Sequence, residues 1–375
     1  MFECLGTFPL SGDLFSQAIH PKSPLVAIGL SNGKVEIVQP EEGASIKTLW
    51  KTQRHKGSVR SLAFSYDGSS LFSAGTDGIV KVADSTNGQV SAKFAIPDWK
   101  EDNPYTLHAL SPQNLILGTD MGLLHVYDLR HKLDKPQATH QAHDEYVSSI
   151  TPLPPSGTST SGFSKLWVST GGGTLACTDL RKGVLAKSEE QEVELLSSLH
   201  VEGLSKKGSN VGEKVLVGCE DGYIRLFERG VWDDMDERLS VLANESLDTM
   251  CRVPESVSPA GRCVIAVGSG AGDIRFFKIG PNRLLEDETL MHSMEDGVTQ
   301  VGFDSLGRMI SGGGTSVKIW ATVEHVDDGE ESDEEEEEED SDSDSDDSDD
   351  SDEEEEASRP AKKRKASGLD FGGLD

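Results

Sequence analysis

The chain is 375 residues long, 35% hydrophobic and rich in glycine, with 39, and its formal net charge is −31. That length allows a large core or two domains, and the charge argues against a globally basic nucleic-acid binder. Cys4, Cys177, Cys219, Cys251 and Cys263 form no C-x-x-C pair and are odd in number, as expected of reduced thiols in a cytosolic or nuclear protein.

No apolar run approaches the ~18 residues of a membrane span. Met1-Phe-Glu-Cys-Leu-Gly lacks the basic, apolar pattern of a signal peptide. Residues 1–10 read as an isolated strand. After them the chain repeats one unit. Its best copy is Ser73-Ala-Gly-Thr-Asp-Gly-Ile-Val-Lys-Val-Ala-Asp84: a strand end, a tight Asp-Gly turn and a β-branched second strand. Equivalent turns close on Gly33, Gly78, Gly122, Gly173, Gly222, Gly272 and Gly314. A spacing of about 40–50 residues between Gly-rich turns and paired short strands predicts a β-propeller with four strands per blade. Seven repeats leave no room for a second globular domain.

The last repeat stops near Trp320, at the end of a third strand, so its blade lacks an outer strand. Phe2 to Phe8 are expected to fill that gap and remove an exposed edge. Longer inserts in repeats four to six, Pro152 to Gly162, Ser205 to Glu213 and Pro254 to Gly261, fall between first and second strands. They should therefore share one face, opposite the Asp-Gly turns.

From residue 326 the composition changes. Asp327 to Glu356 hold 23 acids and no base. Such a run cannot bury a core and reads as a disordered acidic tail over 326–358. It contains Ser332, Ser341, Ser343, Ser345, Ser348 and Ser351, each followed by acids, as acidophilic kinases prefer. Residues 359–375 carry Lys362, Lys363, Arg364 and Lys365, a compact basic cluster of the kind read by importin as a nuclear localisation signal.

No catalytic arrangement is visible. Gly171-Gly-Gly173 and Gly312-Gly-Gly314 are followed by no Gly-Lys-Ser/Thr, and the ten histidines form no H-E-x-x-H. Neither enzyme activity, metal nor cofactor is expected.

His55-Lys-Gly-Ser-Val59 through Asp84 resembles the WD-repeat family. The resemblance implies that His55, Ser73 and Asp77 hydrogen-bond across one blade. The family's Trp should fall at Ala83 and is missing; Trp320 fills that place in the last repeat. The fold implied is an all-β, seven-bladed WD-repeat β-propeller over residues 1–325, with 1–10 as closing strand. The degenerate repeats, Ser-Gly-Gly-Gly314 before Val-Lys-Ile-Trp320, the acidic tail and Lys-Lys-Arg-Lys365 resemble the nucleolar WD-repeat proteins of the WD repeat-containing protein 55 type and their fungal counterparts. This implies a non-enzymatic scaffold in nucleus and nucleolus for ribosomal RNA processing and large-subunit assembly. It would act as a monomer within larger complexes, with pre-ribosomal assembly factors or basic ribosomal proteins as partners. Direct RNA contact is not supported by the charge.

Two alternatives stand beside it. Asp128-Leu-Arg130 and Asp179-Leu-Arg181 resemble the Asp-x-Arg motifs of WD-repeat substrate receptors of cullin-type ubiquitin ligases, without the usual preceding Trp. The acidic tail also fits a histone-binding chromatin adaptor.

Overall fold

The computed structural model describes residues 2–41, 45–155, 162–205 and 212–322. At the repeated turns the chain needs glycine for two reasons. Gly78 has φ 70°, and a Cβ there would lie 2.4 Å from Cβ of Trp99. Gly122 has φ 76°, and its Cβ would meet the His143 carbonyl at 2.1 Å. Both demands, left-handed backbone and close approach, exclude a side chain.

Between such turns the chain forms antiparallel strands. An N-terminal strand, β1 (Phe2–Pro9), precedes the blades. Blade 1 holds β2 (Leu14–Ile19), β3 (Val26–Leu30), β4 (Lys34–Pro40) and β5 (Ile46–Gln53). Blade 2 holds β6 (Val59–Phe64), β7 (Ser70–Gly75), β8 (Ile79–Asp84) and β9 (Val90–Ala95). Blade 3 holds β10 (Pro104–Ser111), β11 (Asn114–Thr119), β12 (Leu123–Asp128) and β13 (Ala138–Gln141). Blade 4 holds β14 (Val147–Pro152), β15 (Leu166–Gly171), β16 (Thr174–Asp179) and β17 (Gly183–Lys187). Blade 5 holds β18 (Leu195–Glu202), β19 (Glu213–Cys219), β20 (Tyr223–Glu228) and β21 (Glu237–Ser240). Blade 6 holds β22 (Leu247–Arg252), β23 (Val264–Ser269), β24 (Asp273–Lys278) and β25 (Arg283–Met291). Blade 7 holds β26 (Gln300–Phe303), β27 (Met309–Gly313) and β28 (Ser316–Thr322). Its fourth strand is β1, in the order β1-β28-β27-β26.

The protein is an all-β, seven-bladed propeller, and no α-helix occurs among the described residues. Its core lies between blades. Val35 and Ile37 of blade 1 pack with Leu62 and Leu71 of blade 2; Leu216 and Leu226 of blade 5 pack with Ile265 and Phe277 of blade 6. Each blade buries both of its sheet faces on its neighbours, so the middle strands read as continuous apolar runs such as Val26-Ala-Ile-Gly-Leu30.

β1 runs antiparallel to β28, with Phe2 opposite Thr322 and Pro9 opposite Ser316. Phe2, 2% exposed, stacks on Phe276 of blade 6 at 5.2 Å between ring centres. Leu5, Phe8 and Leu10 pack against the cluster shared by blades 7 and 1. The closing strand is therefore fixed on both sides.

Because strands alternate in direction, connections from outer to inner strand share one face with the turns between second and third strands. We call this the upper face. The remaining connections, with the inserts of blades 4 to 6, form the lower face. Parts of the first two inserts lie outside the described residues.

Candidate functional site

The seven inner strands surround a central cavity of about 490 Å³. The ladder registers explain which side chains enter it. In six blades the inner strand skips one residue against its neighbour: Phe15, Arg60, Tyr105, Ser148, Leu196 and Asp248. A bulge re-aims its side chain, and all six line the cavity, together with Thr299 of blade 7.

The residue after each bulge is usually Ser or Thr, and it fastens neighbouring blades. The Ser16 hydroxyl donates to the Val59 carbonyl at 2.9 Å, and Ser197 donates to the Leu247 carbonyl at 2.8 Å. The Ser61 hydroxyl accepts from Leu107 N–H at 2.9 Å, and Thr249 accepts from Val301 N–H at 3.2 Å. Reading the sequence by turns alone missed this ring. Its signal was present as Leu-Phe-Ser16, Val-Arg-Ser61, Val-Ser-Ser149, Leu-Leu-Ser197 and Leu-Asp-Thr249.

The upper mouth has two unlike walls. On one side the Arg60 guanidinium lies 5.6 Å from the Tyr105 ring centre and 6.0 Å from that of Phe15. Tyr105 and Tyr146 are 4.7 Å apart. Burial pushes both tyrosine hydroxyls above their ordinary pKa. Tyr146 donates to Glu194 at 2.9 Å. On the other side Asp248 accepts from the Ser246 hydroxyl, and burial raises its carboxyl above the usual range. Back on the first side, in blade 3 with Tyr105, burial also raises Asp120, the Asn103 side chain and Arg60 partly offsetting the effect. Neither Arg60 nor Asp248 has an ion-pair partner among the described residues, and Arg60 Nε is buried without a hydrogen bond.

Away from the mouth, three histidines fasten single blades. His55 bonds Asp77 through Nδ1 at 2.9 Å and Ser73 through Nε2 at 2.9 Å. Asp77 also accepts from Lys56 N–H at 3.1 Å. Ala83 is buried and supplies no donor, so this network ends at Ser73. His143 bonds Ser169 at 2.9 Å and Thr174 at 2.8 Å. In blade 7, His292 bonds Ser311 at 2.8 Å, and Trp320 Nε1 donates to the same hydroxyl at 2.8 Å. His292 was missed in the sequence, although its separation from Ser311, 19 residues, nearly equals the 18 between His55 and Ser73.

The family model of the anaphase-promoting complex subunit 4 WD40 domain matches residues 17–100. The WD repeat-containing protein JIP5 of Phaeosphaeria nodorum is 54% identical over 349 residues, spanning 85% of this chain and 82% of that protein. Its counterpart in Aspergillus terreus is 49% identical over 359 residues, 88% and 84% of the two chains. That of Coccidioides immitis is 48% identical over 358 residues, 89% and 85%. The chain belongs to the JIP5 family of WD-repeat proteins.

In this JIP5-family propeller the two Asp-x-Arg motifs, alike in sequence, differ in space. Arg130 folds back on Asp128, with Nε to Oδ1 at 2.9 Å and Nη2 to Oδ2 at 2.6 Å. The Arg130 guanidinium holds the Asp128 carboxyl well below its usual range. Asp179 instead accepts the backbone N–H groups of Arg181 and Lys182, at 2.8 and 2.9 Å, and Arg181 stays exposed. The tail serines from Ser332 to Ser351 and the basic residues Lys362, Lys363, Arg364 and Lys365 lie outside the described residues. Among the described residues no group of His, Cys, Asp and Glu could hold a metal ion.

Charge separates the two faces. The connections of the upper face carry Asp13, Asp77, Asp98, Glu101, Asp102, Asp120, Asp144, Glu145, Glu189, Glu190, Glu192, Glu194, Glu220, Asp221, Glu245, Glu295 and Asp296. Against these stand only Arg54, Lys56 and Lys100. The described lower connections carry more bases, such as Lys22, Lys132, Lys135, Arg181, Lys182 and Arg262, than acids. Trp99, Met121 and Met294 stand exposed among the upper acids, Met294 by 90%.

Proposed function

We propose that this JIP5-family propeller is a non-enzymatic nucleolar scaffold for ribosome biogenesis, serving ribosomal RNA processing and large-subunit assembly. The observation that carries the reading is the acidic upper face. Its carboxylates, interrupted by exposed Trp99, Met121 and Met294, complement basic proteins with apolar anchors, the chemistry of ribosomal proteins and of many assembly factors. The 23 acids of Asp327 to Glu356 add attraction of the same sign, and phosphates on Ser332, Ser341, Ser343, Ser345, Ser348 and Ser351 would deepen it. Lys362, Lys363, Arg364 and Lys365 supply the importin signal for nuclear entry.

The ubiquitin-ligase reading needs arginines that project to an adaptor. Arg130 is tied to Asp128, which counts against the first motif as an adaptor contact, whereas Arg181 stays exposed and leaves the second motif available for one. Depletion followed by sucrose-gradient sedimentation tests the proposal. A reduced 60S peak with accumulated precursor RNA is expected; a normal peak with normal precursor RNA overturns it. Affinity purification should return pre-ribosomal proteins rather than a cullin adaptor or core histones. Replacing Lys362, Lys363, Arg364 and Lys365 by Ala should move the protein to the cytoplasm in imaging, and unchanged nuclear signal would remove the localisation signal.

A further inference from the structure

We propose that the upper mouth of the central cavity is a binding site for one cationic side chain, lysine or arginine, of a basic protein segment lying across the upper face. Asp248 is the seat of the cation, and Tyr105 and Tyr146 are its aromatic wall.

The bulges build the site. In blades 1, 2, 5 and 6 the bulged side chain offered to the mouth is free of fastening duty, because the hydroxyl of the next residue bonds the neighbouring blade; in blade 4 the bulged Ser148 itself donates to the Leu195 carbonyl. The bulged positions are occupied unevenly: blades 1 to 3 present Phe15, Arg60 and Tyr105, and blade 6 presents Asp248. Tyr105, Tyr146 and Asp248 line the same cavity, and Glu194 holds the Tyr146 hydroxyl at its rim. Arg60, which lines the same cavity, is stacked between Phe15 and Tyr105 rather than paired with Asp248.

A cation from outside repairs this imbalance. It gives Asp248 a partner and lies against ring faces that attract positive charge. The cavity volume, about 490 Å³, admits a long side chain. Arg60, whose guanidinium has no ion pair, is free to donate to carbonyls of the incoming backbone. The site's chemistry rests on geometry; only the biological source of its ligand rests on the scaffold reading above.

The test uses the full chain and an acetylated, amidated octapeptide of alanine and glycine with one central lysine. An analogue with norleucine in place of lysine removes the charge and little else. Titration calorimetry at physiological salt should show the lysine peptide binding at least about tenfold more tightly than the norleucine peptide. Asp248→Asn should bring the two peptides level. That variant stays folded by a checkable criterion. Burial, partly offset by the Ser246 hydroxyl, already raises the Asp248 carboxyl, so its charge costs stability above its folded pKa. Asn should raise the melting temperature at pH 7, with the gain fading at acid pH, where Asp248 is protonated anyway. Equal binding of the two peptides to the natural chain, or full binding by folded Asp248→Asn, overturns the site. If the peptides behave as expected and depletion leaves the 60S peak normal, the ribosome reading fails and the site stands. If depletion lowers the peak and charge has no effect on peptide binding, the site fails alone.

Discussion

At the scale of the residue, the blades are held by histidines kept neutral by burial. His143 is the clearest: burial, helped by Lys187, pulls its pKa from 6.5 down to about 4. His55 and His292 are lowered too, burial outweighing the hydrogen bonds that favour the charged form. The sign follows. Below pH 6.5 the unfolded chain takes up protons that the fold refuses, so stability present above pH 6.5 is lost as pH falls towards 4. His143→Gln keeps hydrogen-bonding capacity and does not titrate. Its melting temperature should fall less steeply between pH 6.5 and 4 than that of the natural chain; parallel curves would show that His143 does not set the slope. Ser73→Ala leaves His55 Nε2 buried without its partner and should cost about 1–3 kcal/mol in denaturant unfolding. His55, Ser73 and Asp77 were readable because their spacing is local to one repeat. His292 escaped because no Asp follows in its turn; Gly314 stands there, and Trp320 completes the network from the far strand.

At the scale of the element, the turns announced themselves and the bulges did not. Glycine marks a turn because other residues fail there. A bulge is a register shift between two strands, visible only once both are paired. The hydroxyl seam was therefore hidden, although its Leu/Val-x-Ser/Thr pattern recurs. The outcome for the two Asp-Leu-Arg stretches was equally out of reach. Identical spacing gave a side-chain ion pair at Asp128 and a backbone cap at Asp179. For β1 the decisive contact is Phe2, buried against Phe276 and, at 5.9 Å, Phe303. Phe2→Ala should destabilise the propeller by about 3–5 kcal/mol, read by denaturant unfolding. Removing residues 2–9 strips the ladder from β28 and should lower the melting temperature further. Unchanged melting after that deletion would mean that the ring does not depend on β1.

At the scale of the whole molecule, net charge concealed more than it told. A value of −31 says nothing of where the acids stand, and the tail masks a propeller whose faces differ in sign. The separation emerges only when strands are assigned and their connections sorted by face. Attraction of a basic client to exposed carboxylates is screened within about 8 Å at physiological salt. Changing Glu189, Glu190, Glu192 and Glu194 to Gln should therefore weaken retention of a basic ribosomal-protein fraction and flatten its dependence on salt. Retention with unchanged salt dependence would exclude that part of the upper face as the docking surface.

The pairing of Phe2 with Thr322 also orders events during synthesis. β1 is made first, and its partner β28 is the last strand of the propeller to leave the ribosome. Until then the β1 ladder is unfilled, and its apolar side chains, Phe2 above all, have no complete seat. Blades can form in turn as they emerge, each resting on the one before, but the circle cannot. A chain interrupted before Ser316 leaves β27 of blade 7 with a free edge and the first strand orphaned. The joint that makes the finished molecule seamless thus also distinguishes a finished copy from an unfinished one.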